Sequence, residues 1–173
     1  MVSGRKNPLF FGLALRLKQA RGQAGLKRLP LAQKAGLAMA TGRDVELGAR
    51  VPTVATVLRL ASALQVSAAW LAYGVGSADD PQPGQAAETM GERLASLRAD
   101  RALSRAALGR TCGLSARAIA KIEAGGQSGV DVIESLAKAF GVSPAWLAYG
   151  AEPRVLPQIR RGRPPAQSPA DPR

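Results

Sequence analysis

Residues 103–125 read LSRAALGRTCGLSARAIAKIEAG, and the order of helix starts and stops in this stretch decides the fold. Ser104 can cap a helix that runs to about Thr111 and turns Leu108 and Cys112 inward. Gly113 supplies the left-handed residue that ends it. Leu114 follows, and Ser115 is a second cap, for a helix in which Ile119 and Ile122 face the core while Ala116, Arg117, Ala120 and Lys121 face outward. Gly125 and Gly126 stop that helix. The stretch is therefore two short helices joined by a tight, glycine-bearing turn.

The pattern extends in both directions. Upstream, Thr89 and Glu92 have capping-box spacing, and Met90, Leu94 and Leu97 then fall on one helical face. Downstream, Ile133, Leu136, Ala137 and Phe140 recur at i, i+3, i+4 and i+7, the stripe of a packed helix. Ser143 followed by Pro144 opens a last short helix carrying Trp146 and Leu147. Five helices thus lie within residues 88–150.

The same arrangement occurs earlier in the chain. WLAYG stands at 70–74 and again at 146–150, a spacing of 76. Further upstream the spacing is 77, pairing Gly48 with Gly125, Glu46 with Glu123, Gly36 and Leu37 with Gly113 and Leu114, Leu31 with Leu108, and Leu17 with Leu94. A single residue near Pro52 accounts for the shift. A register held over some 60 residues marks a duplication. Residues 9–74 form one copy and 88–150 the other. Between them, residues 75–87 are rich in Pro, Gly and Asp and read as a flexible linker. Residues 151–173 hold six prolines and five arginines and read as a disordered basic tail.

The motif L-S-x-x-x-L followed by G-L-S-x-x-x-I-x-x-I-E-x-G, in residues 103–125, resembles the lambda-repressor/Cro-like (XRE) family. The resemblance covers residues 90–150 closely and 13–74 more loosely. It implies an all-α protein of two tandem five-helix domains, each with its second and third helices as a helix-turn-helix and the third helix in the major groove of double-stranded DNA. Composition agrees with a polyanionic partner: 24 Lys and Arg against 12 Asp and Glu give a formal charge of +12 in 173 residues. The basic excess is concentrated in residues 1–74, with 11 basic and two acidic side chains.

On this reading Ala116, Arg117, Ala118 and Lys121 face the groove. Arg117 alone has the fork to read a guanine bidentately, and the alanines can at most touch a thymine methyl. Arg105, Gln127 and Ser128 match positions that contact phosphates in the family and would set register. The first copy departs from the pattern. Ala38 stands at the cap position, Gly42 at the place of buried Ile119, and Asp44 at the place of Lys121, which predicts a weak third helix. Met39, Thr41 and Arg43 can still face a groove, and Lys18, Arg21, Lys27 and Arg28 form a basic belt. Whether this copy reads bases, or contacts only the backbone or a partner, is left open. In the tail, Arg161 and Arg163 lie in R-G-R-P, which resembles the AT-hook core that follows a narrow minor groove; a solvated basic extension is the plainer alternative. Arg5 and Lys6 could form a similar arm.

Other classes are disfavoured. With one cysteine, Cys112, and no histidine, an intrachain disulfide and any Cys/His zinc site are excluded. Neither paired catalytic carboxylates, nor a nucleophile with its base, nor a phosphate-binding glycine loop is present, so no catalysis, cofactor or small-molecule ligand is expected. The basic pair Arg5–Lys6 before an apolar run only imitates a leader, since Arg16 and Lys18 follow at once. No apolar run reaches the ~18 residues of a membrane span. A cytoplasmic, nucleoid-associated protein is expected, with a homodimer as one way to cover an operator. Competing readings are a partner-binding first copy with a single DNA-reading second copy, and a sequence-tolerant DNA-coating protein.

Overall fold

The computed structural model describes residues 8–80 and 88–156, and they form two copies of one helical unit. The first copy opens with a 3₁₀ turn at Leu9–Gly12, followed by α1 (Leu13–Gln23), α2 (Arg28–Lys34), α3 (Met39–Glu46), α4 (Val54–Leu64) and α5 (Ala68–Tyr73). The second comprises α6 (Met90–Asp100), α7 (Arg105–Cys112), α8 (Ala116–Glu123), α9 (Val130–Phe140) and α10 (Pro144–Tyr149). The one-residue shift between copies falls in the loop between the third and fourth helices, where an extra residue costs little.

The caps read from the sequence are in place. Thr89 and Glu92 close a reciprocal capping box. Ser104, Ser115 and Ser143 accept the amides of Ala107, Ala118 and Trp146. Gly113 ends α7 in the left-handed conformation. The first copy has fewer caps: the side chains of Lys27 and Ala38 make no capping hydrogen bond to α2 or α3, although Thr53 and Ser67 cap α4 and α5. Even so α3 forms over eight residues. Its stability comes from packing rather than propensity: Val45 is fully buried, and Ala32 of α2 fills toward Gly42. At the aligned positions of the second copy the small and large residues are exchanged, with Gly109 in α7 and Ile119 in α8.

One hydrophobic core runs through both copies, from Leu13, Leu17 and Val57 to Leu94, Ile133 and Leu147. Each of these buried aliphatic side chains contributes about 1.5–3 kcal/mol of burial. An arginine repeats in each unit, half-buried as Arg16 in the first and buried as Arg93 in the second. Arg16 donates to the carbonyls of Leu71 and Ala72, and Arg93 to those of Leu147 and Ala148. A cation thus ties the first helix to the carbonyl end of the fifth, where the helix dipole favours it. Desolvation lowers the pKa of both guanidinium groups.

The two copies meet in a reciprocal seam. The amide of Val54 donates to the Ser128 carbonyl at 2.9 Å, and that of Val130 to the Pro52 carbonyl at 3.1 Å. Thr53 and Gly129 form an antiparallel bridge between these bonds. The Tyr73 hydroxyl donates to the Val130 carbonyl at 3.0 Å, and the Tyr149 hydroxyl to the Val54 carbonyl at 3.4 Å. The two tyrosine rings lie 6.4 Å apart, and α5 packs against α10. Shifting any one of these contacts by 76 residues gives its counterpart, the signature of an isologous two-fold interface inside one chain. Among the described residues a contact without a counterpart is that of the Glu134 carboxylate in α9, which accepts the amides of Leu9 and Phe10.

The described start of the linker, residues 75–80, is docked rather than free. Val75 is buried, and Ser67 donates its amide to the Ala78 carbonyl. The start of the tail repeats this, with Ser143 donating to the Arg154 carbonyl and the Arg154 guanidinium lying 4.6 Å from the centre of the Trp146 ring. Each packed unit therefore extends a few residues beyond its WLAYG. No helix among the described residues is long and apolar enough to cross a membrane.

Candidate nucleic-acid interface

The turn between α7 and α8 is fixed by backbone contact. Leu114 donates its amide to the Gly109 carbonyl, and a Cβ at Gly109 would press into the Leu114 carbonyl oxygen. The two helices can therefore approach closely only with glycine there. Gly91 does the same between α6 and α8: a Cβ would press into the carbonyl oxygen of Glu123 and come within 2.8 Å of that of Ile122. These two glycines set the angle at which α8 leaves the body of the domain.

On α8, Ile119 and Ile122 are buried while Ala116, Arg117 and Lys121 are exposed and Ala118 is half-buried. Behind this face the Glu123 carboxylate accepts from Arg98 at 2.6 Å and Arg105 at 2.7 Å. Arg98 also donates to the Leu103 carbonyl, so the carboxylate joins the end of α8 to α6 and the start of α7. Desolvation works to raise the Glu123 pKa, but the hydrogen bonds from Arg98 and Arg105 outweigh it and hold the carboxyl below its usual range. Among the described residues, Arg117 and Lys121 enter no ion pair.

The first copy repeats the internal network on a different outer face. Glu46 accepts from Arg21 at 2.7 Å and Arg28 at 3.1 Å, and its pKa is lowered chiefly by the hydrogen bond from Arg21. On α3, Met39, Ala40 and Arg43 are exposed and Thr41 is half-buried. The Arg43 guanidinium lies 3.0 Å from the Asp44 carboxylate.

Two family models match the chain: one described as a helix-turn-helix domain over residues 89–149, and one described as helix-turn-helix over residues 17–71. The chain holds two tandem helix-turn-helix DNA-binding domains. No solved structure gives a significant match to it.

In the second helix-turn-helix domain Arg105, Ala116, Arg117, Lys121 and Gln127 are each exposed and Ala118 is half-buried, with Gln127 just beyond α8. Ser128 is a correction to the expected phosphate contacts. It is buried, and its carbonyl belongs to the seam between domains. Arg28 and Arg105 are half-exposed, but each is tied to the buried glutamate of its own domain. Arg21 of the expected basic belt is likewise an internal strut. Arg161 and Arg163, like Arg5 and Lys6, lie outside the described residues. Sequence reasoning missed the roles of Gly91 and Gly109 and the reciprocal tyrosines. The repeated Tyr in WLAYG was the available signal for the latter, because a buried phenol needs an acceptor.

Proposed function

We propose that this helix-turn-helix protein binds duplex DNA sequence-specifically as a transcription regulator of the repressor type, with α8 and α3 directed into the major groove. It acts by binding rather than by catalysis, and its setting is the cytoplasmic nucleoid. The observation that carries this reading is a contrast on one small surface. Arg98 and Arg105 are spent on Glu123, whereas Arg117 and Lys121 project from a capped helix with no carboxylate to neutralise them. Exposed, unpaired cations on a rigid helix are what base-edge and phosphate contacts require.

The reciprocal seam supports the further point that one chain offers two related helices to DNA, as a dimer of single domains would. The test is selection of duplexes from random sequence at about physiological salt. Wild type should enrich a defined motif, and Arg117→Ala should lose preference at one base pair at a cost of about 1–3 kcal/mol. Equal binding to all sequences would instead make it a DNA-coating protein.

A second reading, in which the first domain also binds a second copy of the chain, is favoured by its apolar surface. Phe11, Leu15 and Leu47 are each about 60% exposed, and Val51, which lines a shallow cavity with Phe11, is 45% exposed. Sedimentation of wild type against Phe11→Ser tests it, and a concentration-independent monomer would remove it.

A further inference from the structure

The two recognition helices are equivalent in position and unlike in chemistry. The seam exchanges Val54 with Val130 and Tyr73 with Tyr149, so the first domain is related to the second by a local two-fold. Aligned by the same repeat, Ala116, Arg117, Ala118, Ala120 and Lys121 of α8 become Met39, Ala40, Thr41, Arg43 and Asp44 of α3. The net charge of the outward face thus changes from two positive charges to zero, Arg43 being offset by Asp44. The guanine-reading position holds Ala40, and the one arginine on α3 stands beside its own counter-charge at 3.0 Å. An exposed pair of neighbours contributes little to stability, but it cancels the local field a phosphate or guanine would feel. What α3 presents in place of charge is an exposed thioether, an exposed methyl and a half-exposed threonine, groups suited to the thymine 5-methyl.

We infer that the operator is not a palindrome: one half-site carries a guanine read by Arg117, the other is thymine-rich and read through methyl contact by Met39 and Ala40, and the chain binds in a single orientation. The inference rests on the DNA-regulator reading given above and deepens it. A symmetric site would offer α3 a guanine at the position where Ala40 has no donor. An inverted chain would turn Asp44 toward the half-site that suits Lys121.

The test is random-sequence selection with the full chain, followed by affinity measurements on the enriched duplex with thymines replaced by uracil in one half at a time. The expected motif has two dissimilar halves. Arg117→Ala should abolish the guanine preference in one half, with a loss of about tenfold or more, and leave the other half unchanged. Uracil in the thymine-rich half should weaken binding about fourfold per contacted methyl, the value of one buried carbon, and Met39→Ala should remove that penalty at the methyl Met39 contacts while leaving it at the methyl read by Ala40. Two identical inverted halves, or a single half-site flanked by sequence where uracil is neutral, would overturn the asymmetric operator while leaving the regulator reading intact. Enrichment of no motif would overturn the regulator reading itself.

Discussion

Substituting Gly42→Ala places a methyl in the middle of α3, the helix that the sequence alone marks as weak. An alanine Cβ there would sit 3.8 Å from the Cβ of Ala32, an ordinary van der Waals contact with nothing nearer. The gain from replacing glycine inside a helix, about 0.5–1 kcal/mol, is then kept whole. One core joins both domains, so the effect should be read in a single cooperative transition. For a unit of this size about 1 kcal/mol raises Tm by roughly 2–4 °C. The matched control is Gly91→Ala, the same chemical change made where the new carbon meets the backbone oxygens of Ile122 and Glu123. Backbone cannot rotate away as a side chain does, so overpacking of about 1–3 kcal/mol exceeds the propensity gain and Tm should fall. Differential scanning calorimetry of both variants decides the matter. A lower Tm for Gly42→Ala, or shifts of the same sign for both, would refute the argument that α3 is formed and has room beside Ala32.

Replacing Glu123 by Gln should release Arg98 and Arg105 and cost about 2 kcal/mol, below the usual range for a fully buried pair because both arginines reach solvent. Urea denaturation with an unchanged m-value checks it. Glu46 and Glu123 both have folded-state pKa values below the ordinary carboxylate range. The stability they add is therefore present above the unfolded value of about 4.3 and is lost as pH falls through their folded values. Acid titration should show a plateau near neutrality and a fall below about pH 4.5, flattened in the Glu46→Gln, Glu123→Gln double variant. Tyr73→Phe removes the 3.0 Å bond to the Val130 carbonyl and should cost about 1 kcal/mol, more than Tyr149→Phe, whose bond is 3.4 Å. Denaturant midpoints rank the two. Lys121→Ala should lower the slope of log affinity against log salt by about one, with no change in motif.

The second domain was largely legible in the sequence because each helix carries its own local signal. Thr89 with Glu92, Ser104, Ser115 and Ser143 before Pro144 all act within one turn of where they stand, and the apolar stripes needed only a period. Arg117 and Lys121 could be placed outward by the same count. The first domain was harder because its signals are tertiary. Ala38 and Gly42 argue against α3 locally, and only the burial of Val45 and the approach of Ala32 to Gly42 explain why it forms. The seam was illegible for a different reason. Its central bonds join the backbone of Pro52 and Val54 to that of Ser128 and Val130, and a main-chain amide has no residue type to betray it. The same blindness misassigned Ser128, whose hydroxyl suits a phosphate but whose place is internal. Arg28 and Arg105 resembled free surface cations until Glu46 and Glu123, 18 residues further along in each case, were seen to hold them.

The covalent joining of the two domains across their seam changes how such a regulator responds to its own abundance and how it can evolve. A protein assembled from two separate identical chains fills its site with the square of monomer concentration and disassembles on dilution. On the proposed single-chain reading the partner domain is present at an effective concentration fixed by the connecting residues, so occupancy would rise with the first power of concentration and have no dilution threshold. In a homodimer every substitution is also made twice. Here Ala40 and Arg117 differ while Tyr73 and Tyr149 hold the halves in register, so the exposed faces of α3 and α8 can diverge independently without dissolving the pair.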